Sequence, residues 1–426
     1  MNKNIRIPFI LGVMVIYIIS GFNCAAQDWP WFRGVNHNGI SGANMQWPAN
    51  GPKEVWKTNV GVGHSAVSVV EGFVYTMSNK NDMDIVVCLD AKTGKEIWKQ
   101  TYDCPANYFA AKPFDGPGST PTVDQGVVYT FSRSGHALAL NAKTGAVIWK
   151  RDLVEEEGAK SPQWGFSGSA LIDGDRVILN ATTGGICLDS QTGKTIWKTV
   201  LDNKGKAAAT QMIETGGSEG GYATPVPVQV AGKKYMVIFG TQTITVVNPE
   251  NGSIFWKVKR PQPIGVNAAD PIVEGTNIFV SAGRRSGCAR YDISKDTIPV
   301  WDNKNMNNHW QTCVLWKGHI YGCEGNNAAG AGRSPIALRC LDWETGTIIW
   351  ENKEIDFFGL IVADGKLLMI TDAGELIAAE ASPAGYKEIG RAKVLDEHCF
   401  PAPVIANGFI YLRNTVGDVV CLDMRP

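Results

Sequence analysis

One phrase recurs along this chain and constrains its fold more than any other feature. Residues 88–99 read CLDAKTGKEIWK, residues 139–150 read ALNAKTGAVIWK, and residues 187–198 read CLDSQTGKTIWK. Looser copies end at Trp256, Trp301 and Trp350. The tryptophans recur about every 40 to 60 residues, the period of a four-stranded propeller blade. The chemistry of the phrase agrees. A strand ends at Leu-Asp, where the carboxylate can cap the next turn. Glycine takes the left-handed position of a bulged hairpin. A second strand then presents the tryptophan. An indole at that place covers the gap to a neighbouring blade, a burial of about 2–3 kcal/mol each time.

A second phrase precedes each copy: a glycine turn and an apolar run, as at Gly72–Thr76, Gly126–Thr130, Gly318–Tyr321 and Gly408–Tyr411. Before it comes a short inner strand, such as 65–70 or 120–123. Counting these units gives 64–102, 118–153, 165–201, 222–260, 267–305, 309–354, 356–394 and 399–426. The sequence therefore predicts an all-β, eight-bladed β-propeller of four-stranded antiparallel blades. The last unit lacks a tryptophan strand. Glu54-Val55-Trp56-Lys57-Thr58 has that strand's pattern and is expected to close the ring against Val419-Val420-Cys421, removing an open edge. The alternative is seven blades, with the degenerate unit 356–394 as an insertion. The structural tryptophans are then Trp56, Trp98, Trp149, Trp197, Trp256, Trp301 and Trp350.

These repeats resemble the pyrroloquinoline-quinone (PQQ) repeat, with its Trp docking motif, of quinoprotein dehydrogenases. The same repeat occurs in the propeller subunit of the bacterial outer-membrane-protein assembly machinery. The resemblance covers about residues 52–426, and the leader Asp28-Trp29-Pro30-Trp31-Phe32-Arg33-Gly34 is similar to the start of many exported proteins of this type. It implies two classes of function. One is a binding or scaffold module in the periplasm or envelope, facing a protein or glycan partner. The other is a PQQ- and calcium-dependent dehydrogenase of an alcohol or sugar, in which an aspartate takes the hydroxyl proton as hydride passes to the quinone. For that chemistry Asp270 is the candidate base, Asn267 and Asp270 are the candidate calcium donors, and Trp164 has the type of the quinone's floor. The vicinal cysteine pair common in such enzymes is absent from this sequence.

The N-terminus points to export. Lys3 and Arg6 precede an apolar run from Ile10 to Ile19, and Cys24-Ala25-Ala26 offers small residues for cleavage before Gln27. This reads as a signal peptide over 1–26, followed by an extended leader over 27–51 and the propeller over 52–426. The mature chain is then expected to be periplasmic or secreted; Cys24 sits in a poor lipobox, which disfavours an outer-membrane lipoprotein. No later stretch is apolar enough for a transmembrane span, and no basic run or basic-aromatic stripe suits nucleic acid. Ten cysteines in an exported chain invite disulfides. Yet Cys88, Cys187, Cys340 and Cys421 share one repeat position with Ala139, Val246 and Ala378, a small apolar core site. Equivalent sites on different blades lie beyond the roughly 7 Å that a bridge requires, so these thiols are expected to be reduced.

The central mouth is where chemistry is expected. His64, Trp164, Tyr222, Asn267, Asp270, His309 with Trp310, Phe357 and His398 precede or begin inner strands. Arg133, Arg284, Arg285 and Arg333 fall between second and third strands, with Arg413 at the end of a second strand. Arginines among aromatic and histidine side chains suit an anionic, planar or sugar-like ligand.

Overall fold

The computed structural model describes residues 27–105, 116–201, 220–262, 265–325, 336–355, 357–396 and 398–425. The expected signal peptide with Cys24, and Arg333, lie outside these residues. The described chain forms eight sheets, each with four antiparallel strands, arranged as an eight-bladed propeller. The first blade is typical: Ser68–Val70, Phe73–Lys80, Met83–Asp90 and Glu96–Asp103, from the axis outward. The last is built from Val404–Ala406, Phe409–Arg413 and Asp418–Asp423, completed by Lys53–Asn59 from the N-terminal side. Trp56 faces Cys421 across that seam, the closure expected from its repeat context. The seven-blade alternative is overturned, because residues 357–393 make four complete strands.

The repeated phrase explains how blades adhere. Asp90 Oδ1 accepts hydrogen bonds from the backbone N–H groups of Lys92 and Thr93 and from the Thr93 hydroxyl. Asn141 and Asp189 do the same for Thr144 and Thr192. The following glycine has a left-handed backbone, and its missing side chain makes room for the preceding blade's indole. A Cβ on Gly94 would come within 2.5 Å of Trp56, and one on Gly145 within 2.6 Å of Trp98. Each indole also donates to a carbonyl of the next blade: Trp56 to Ala91, Trp98 to Ala142, Trp149 to Ser190, Trp197 to Pro249, Trp256 to Asp296, Trp301 to Trp343 and Trp350 to Ser382. Just before each tryptophan the ladder slips by one residue, as between Cys88 and Leu89. This bulge turns the indole inward and throws the preceding side chain outward. The result is a rim of exposed apolar residues, Ile97, Ile148, Ile196, Phe255 and Ile349 among them.

The seventh blade has no tryptophan at this position. Gly390 stands there, opposite Ala378. The space is taken by Trp47 of the leader, whose indole would collide with a Cβ on Gly390. The nine described cysteines are all buried. Cys88, Cys187, Cys340 and Cys421 each face a tryptophan across the ladder. Burial pushes the Cys88, Cys187 and Cys421 thiols up to about 12 and Cys340 to about 11, so they act as small apolar fillers.

Candidate functional site

The leader closes one end of the channel that eight inner strands would otherwise leave through the ring. It starts against the last blade, where Asp28 accepts from Asn407. Trp29 exchanges two backbone hydrogen bonds with Val69, Val123 N–H donates to the Pro30 carbonyl, and the Trp31 indole donates to the Val123 carbonyl. Ile40–Ser41 then lies parallel to Val362–Ala363. Val69, Val123 and Val362 sit in the last residues of their inner strands. The aromatic residues precede the inner strands and so occupy the opposite end.

Between these ends lies a cavity of about 470 Å³, within the usual range of small-ligand sites. Its floor includes Trp29, Phe32, Arg33 and Gly39. His309 stacks on Trp310 with ring centroids 4.1 Å apart, Trp310 meets Phe400 edge-on at 6.0 Å, and Phe400 meets His64 at 5.3 Å. Trp164 and Tyr222 lie 6.4 Å apart and also line the cavity. Arg133 and Arg284 add two guanidinium groups. Arg133 is buried, and its Nε and Nη2 have no hydrogen-bond partner.

Asp270 belongs to a girdle of hydrogen bonds linking successive blades. Ala66 N–H donates to Thr120 Oγ1, Thr120 N–H to Ser169 Oγ, and Ser169 N–H to Thr224 Oγ1. Thr224 N–H donates to Asp270 Oδ1 at 2.8 Å, and Asp270 N–H to Thr312 Oγ1 at 3.0 Å. Every other acceptor in this series is a hydroxyl, so the carboxylate places an extra oxygen and a charge where the architecture asks for neither. Burial pushes the Asp270 carboxyl up to about 7, against the opposing pull of Arg33 and the Thr224 hydrogen bond. Asp270 is the one carboxylate lining the cavity among the described residues.

The structure thus brings His64, Arg133, Trp164, Tyr222, Asp270, Arg284, His309 and Trp310 to one cavity and leaves Asn267, Arg285, His398 and Arg413 outside its lining. Asn267 is fully buried, and its amide donates to the carbonyls of Gly240 and Thr241, tying down the loop before its own inner strand. His398 pairs through Nδ1 with Asp372 at 2.8 Å. Arg285 is exposed: it is the second of two left-handed residues in the turn closed by Ser286 N–H and the Gly283 carbonyl. Arg413 is also buried elsewhere, donating to the carbonyls of Gly61, Ser65 and Met77 and to Thr76 Oγ1, which joins the last blade to the first. Sequence reasoning missed Arg33. The available signal was a lone arginine inside an aromatic leader, which repeat alignment cannot place.

Calcium bound beside a quinone needs several oxygen donors converging on one point. Asp270 is the one carboxylate in the described cavity lining, and Asn267 lies outside that lining. The residues present therefore do not fit a calcium–quinone centre assembled on that pair, and no catalytic step is derived through one.

Comparison with known proteins agrees with the architecture. The family model described as outer membrane protein assembly factor BamB matches residues 48–210, 85–329 and 186–383. BamB of Yersinia pestis is 22% identical over 374 residues, covering 86% of this chain and 77% of that protein. The dehydrogenase subunit of the quinone alcohol dehydrogenase of Komagataeibacter europaeus is 29% identical over 141 residues, only 30% of this chain and 18% of that protein. A europium-containing methanol dehydrogenase superposes with a TM-score of 0.68 at 16% identity, covering 92% of this chain and 90% of that one, a likeness of fold alone. The chain therefore belongs to the PQQ-like repeat propeller family whose model carries the BamB description.

Proposed function

We propose that this chain is a non-catalytic binding module of the cell envelope that takes a small anionic ligand in its central cavity. The observation that carries this reading is the make-up of the cavity: three guanidinium groups, Arg33, Arg133 and Arg284, against one carboxylate, with aromatic faces beside them. A cation-rich cavity in a chain of formal charge −1 is a local feature of the site and not a by-product of composition. An envelope location is supported by the signal-like residues 1–26 and by relatives described as outer membrane assembly factors. Among the described residues no helix is long and apolar enough to cross a membrane.

The dehydrogenase reading is disfavoured by the poor fit of Asn267 and Asp270 to calcium. Both readings are tested together by calorimetry of the purified chain against small carboxylates, sugars, and PQQ with and without calcium, alongside dye-linked oxidation of alcohols and sugars. Saturable binding of an anion without turnover is expected. Quinone- and calcium-dependent dye reduction would overturn the proposal, and so would capture of an envelope protein by a chain that binds no small ligand.

A further inference from the structure

The floor of the cavity holds two buried, opposite charges that do not bond to each other. Arg33 is 7% exposed. Its Nη2 donates to the carbonyls of Cys313 at 2.7 Å and Asn38 at 3.0 Å, while Nη1 is buried without a partner. Asp270 is 4% exposed, and its side chain accepts from Thr224. Each is close enough to shift the other's ionisation. A buried ion is costly unless its remaining donors or acceptors are filled, and a hydroxyl at position 270 would serve the girdle as it does at Thr224 and Thr312. The fold accounts for neither the charge on Asp270 nor the open donor on Arg33.

One kind of ligand satisfies both. A simple carboxylate would answer Arg33 and be repelled by Asp270 in its ionised form. A neutral polyol would answer Asp270 and leave Arg33 Nη1 unfilled. A molecule with a carboxylate beside hydroxyl groups answers the two together. Gln311 adds a buried amide at the same cavity, with neither side-chain atom partnered. Trp164, 39% exposed, gives the C–H face of a sugar ring a surface to lie on.

Resting on the binding-module reading above, we propose that the ligand is a sugar acid, free or as the terminal unit of a short saccharide. Its carboxylate is received by Arg33 of the leader and a hydroxyl donates to Asp270. The leader is then part of the recognition site and not only a plug.

The test is calorimetry on the full chain with D-glucuronate and D-galacturonate, their parents D-glucose and D-galactose, and succinate. The acids are expected to bind at least tenfold tighter than the parent sugars. Arg33→Gln should erase that preference, the acids losing at least tenfold in affinity and falling to the level of the parent sugars. Asp270→Thr, which copies the residue at the neighbouring girdle positions and so keeps the fold, should cut the preference for glucuronate over succinate at least fivefold. This second variant carries the test if Arg33→Gln does not fold. Equal affinity for acids and parents overturns the inference, as does a preference that survives both substitutions. Binding of succinate or PQQ but of no sugar acid sinks this inference and leaves the binding-module reading standing; no small-molecule binding at all sinks both.

Discussion

Replacing Gly145 by alanine places a methyl group against the indole of Trp98, and the size of that collision can be separated from the backbone strain. Gly145 has φ +71°, and its added Cβ would meet Trp98 ring carbons at 2.6 and 2.7 Å. Gly126, in the same blade, has φ +77° with nothing within 4 Å of its added Cβ. Forcing alanine into left-handed backbone costs about 1–2 kcal/mol at either site. Only Gly145 adds the penalty of overpacking a filled interface, about 1–3 kcal/mol. Gly145→Ala should therefore cost about 2–5 kcal/mol and Gly126→Ala about 1–2. In a Trp98→Ala background the methyl group meets empty space, so Gly145→Ala should fall to the strain cost alone. The coupling in that cycle should be about 1–3 kcal/mol. Guanidinium unfolding measures all five proteins, the wild type, the three single variants and the double variant, read as midpoint shifts at constant slope. Equal costs for Gly126→Ala and Gly145→Ala would refute the account of why a glycine precedes the tryptophan strand in this blade. An undiminished cost in the Trp98→Ala background would refute it too.

Three further outcomes are expected. Arg413→Met strands three carbonyls and a hydroxyl that one guanidinium now serves; it should cost about 3–5 kcal/mol, with amide exchange rising first where the last blade meets the first. Trp47→Ala should lower stability by about 2–3 kcal/mol by uncovering Gly390, and an unchanged melting temperature would mean that the leader does not stand in for the seventh blade's missing indole. Asp270 ionises near 3.8 when unfolded and at about 7 when folded, chiefly through burial, with Arg33 opposing and Arg284 and His309 lining the same cavity. The folded state therefore holds the extra proton, so stability should fall as pH rises from 4 to 7 and level off above, by an amount on the order of 3 kcal/mol. Asp270→Thr should flatten that slope, and urea titrations at pH 4, 6 and 8 give the answer.

The repeat made the eight blades, the closing strand and the inward tryptophans legible before any coordinates, because each rests on a local phrase whose spacing is a blade's spacing. The seventh blade shows where that reasoning stops. Gly390 looks like decay of the motif in sequence, and only folding brings Trp47 to it from the leader. The cavity was half legible for a similar reason. Position before an inner strand predicts which end of the ring a residue occupies, and this sufficed for His64, Trp164, Tyr222, Asp270 and His309. It says nothing about whether the side chain turns to the axis or back into the blade. Asn267 turns back because two carbonyls of the preceding blade need a donor, and His398 turns to Asp372 because a carboxylate lies within reach. Arg33 was illegible because a segment without repeats has no partner to align with.

The seam between Lys53–Asn59 and Asp418–Asp423 also sets the order in which this chain can become itself. Asn59 and Asp418 share a hydrogen bond across 359 positions of sequence, so the first blade strand made must wait for the last before it has a neighbour. Until then the ring has two open ends, one a bare strand and the other a three-stranded sheet. Contacts this distant in sequence form late and slowly, and an exposed edge during that wait is an invitation to pair with another chain. Six of the eight sheets are wholly local in sequence and a seventh is local apart from Ile40–Ser41, so these can assemble as they emerge, whereas the eighth is an all-or-nothing event that converts a string of hairpins into a ring. The leader's many contacts with blades far from it in sequence become available at the same moment. The yield of native protein should therefore depend on keeping residues 27–59 from pairing wrongly, more than on any property of the blades between.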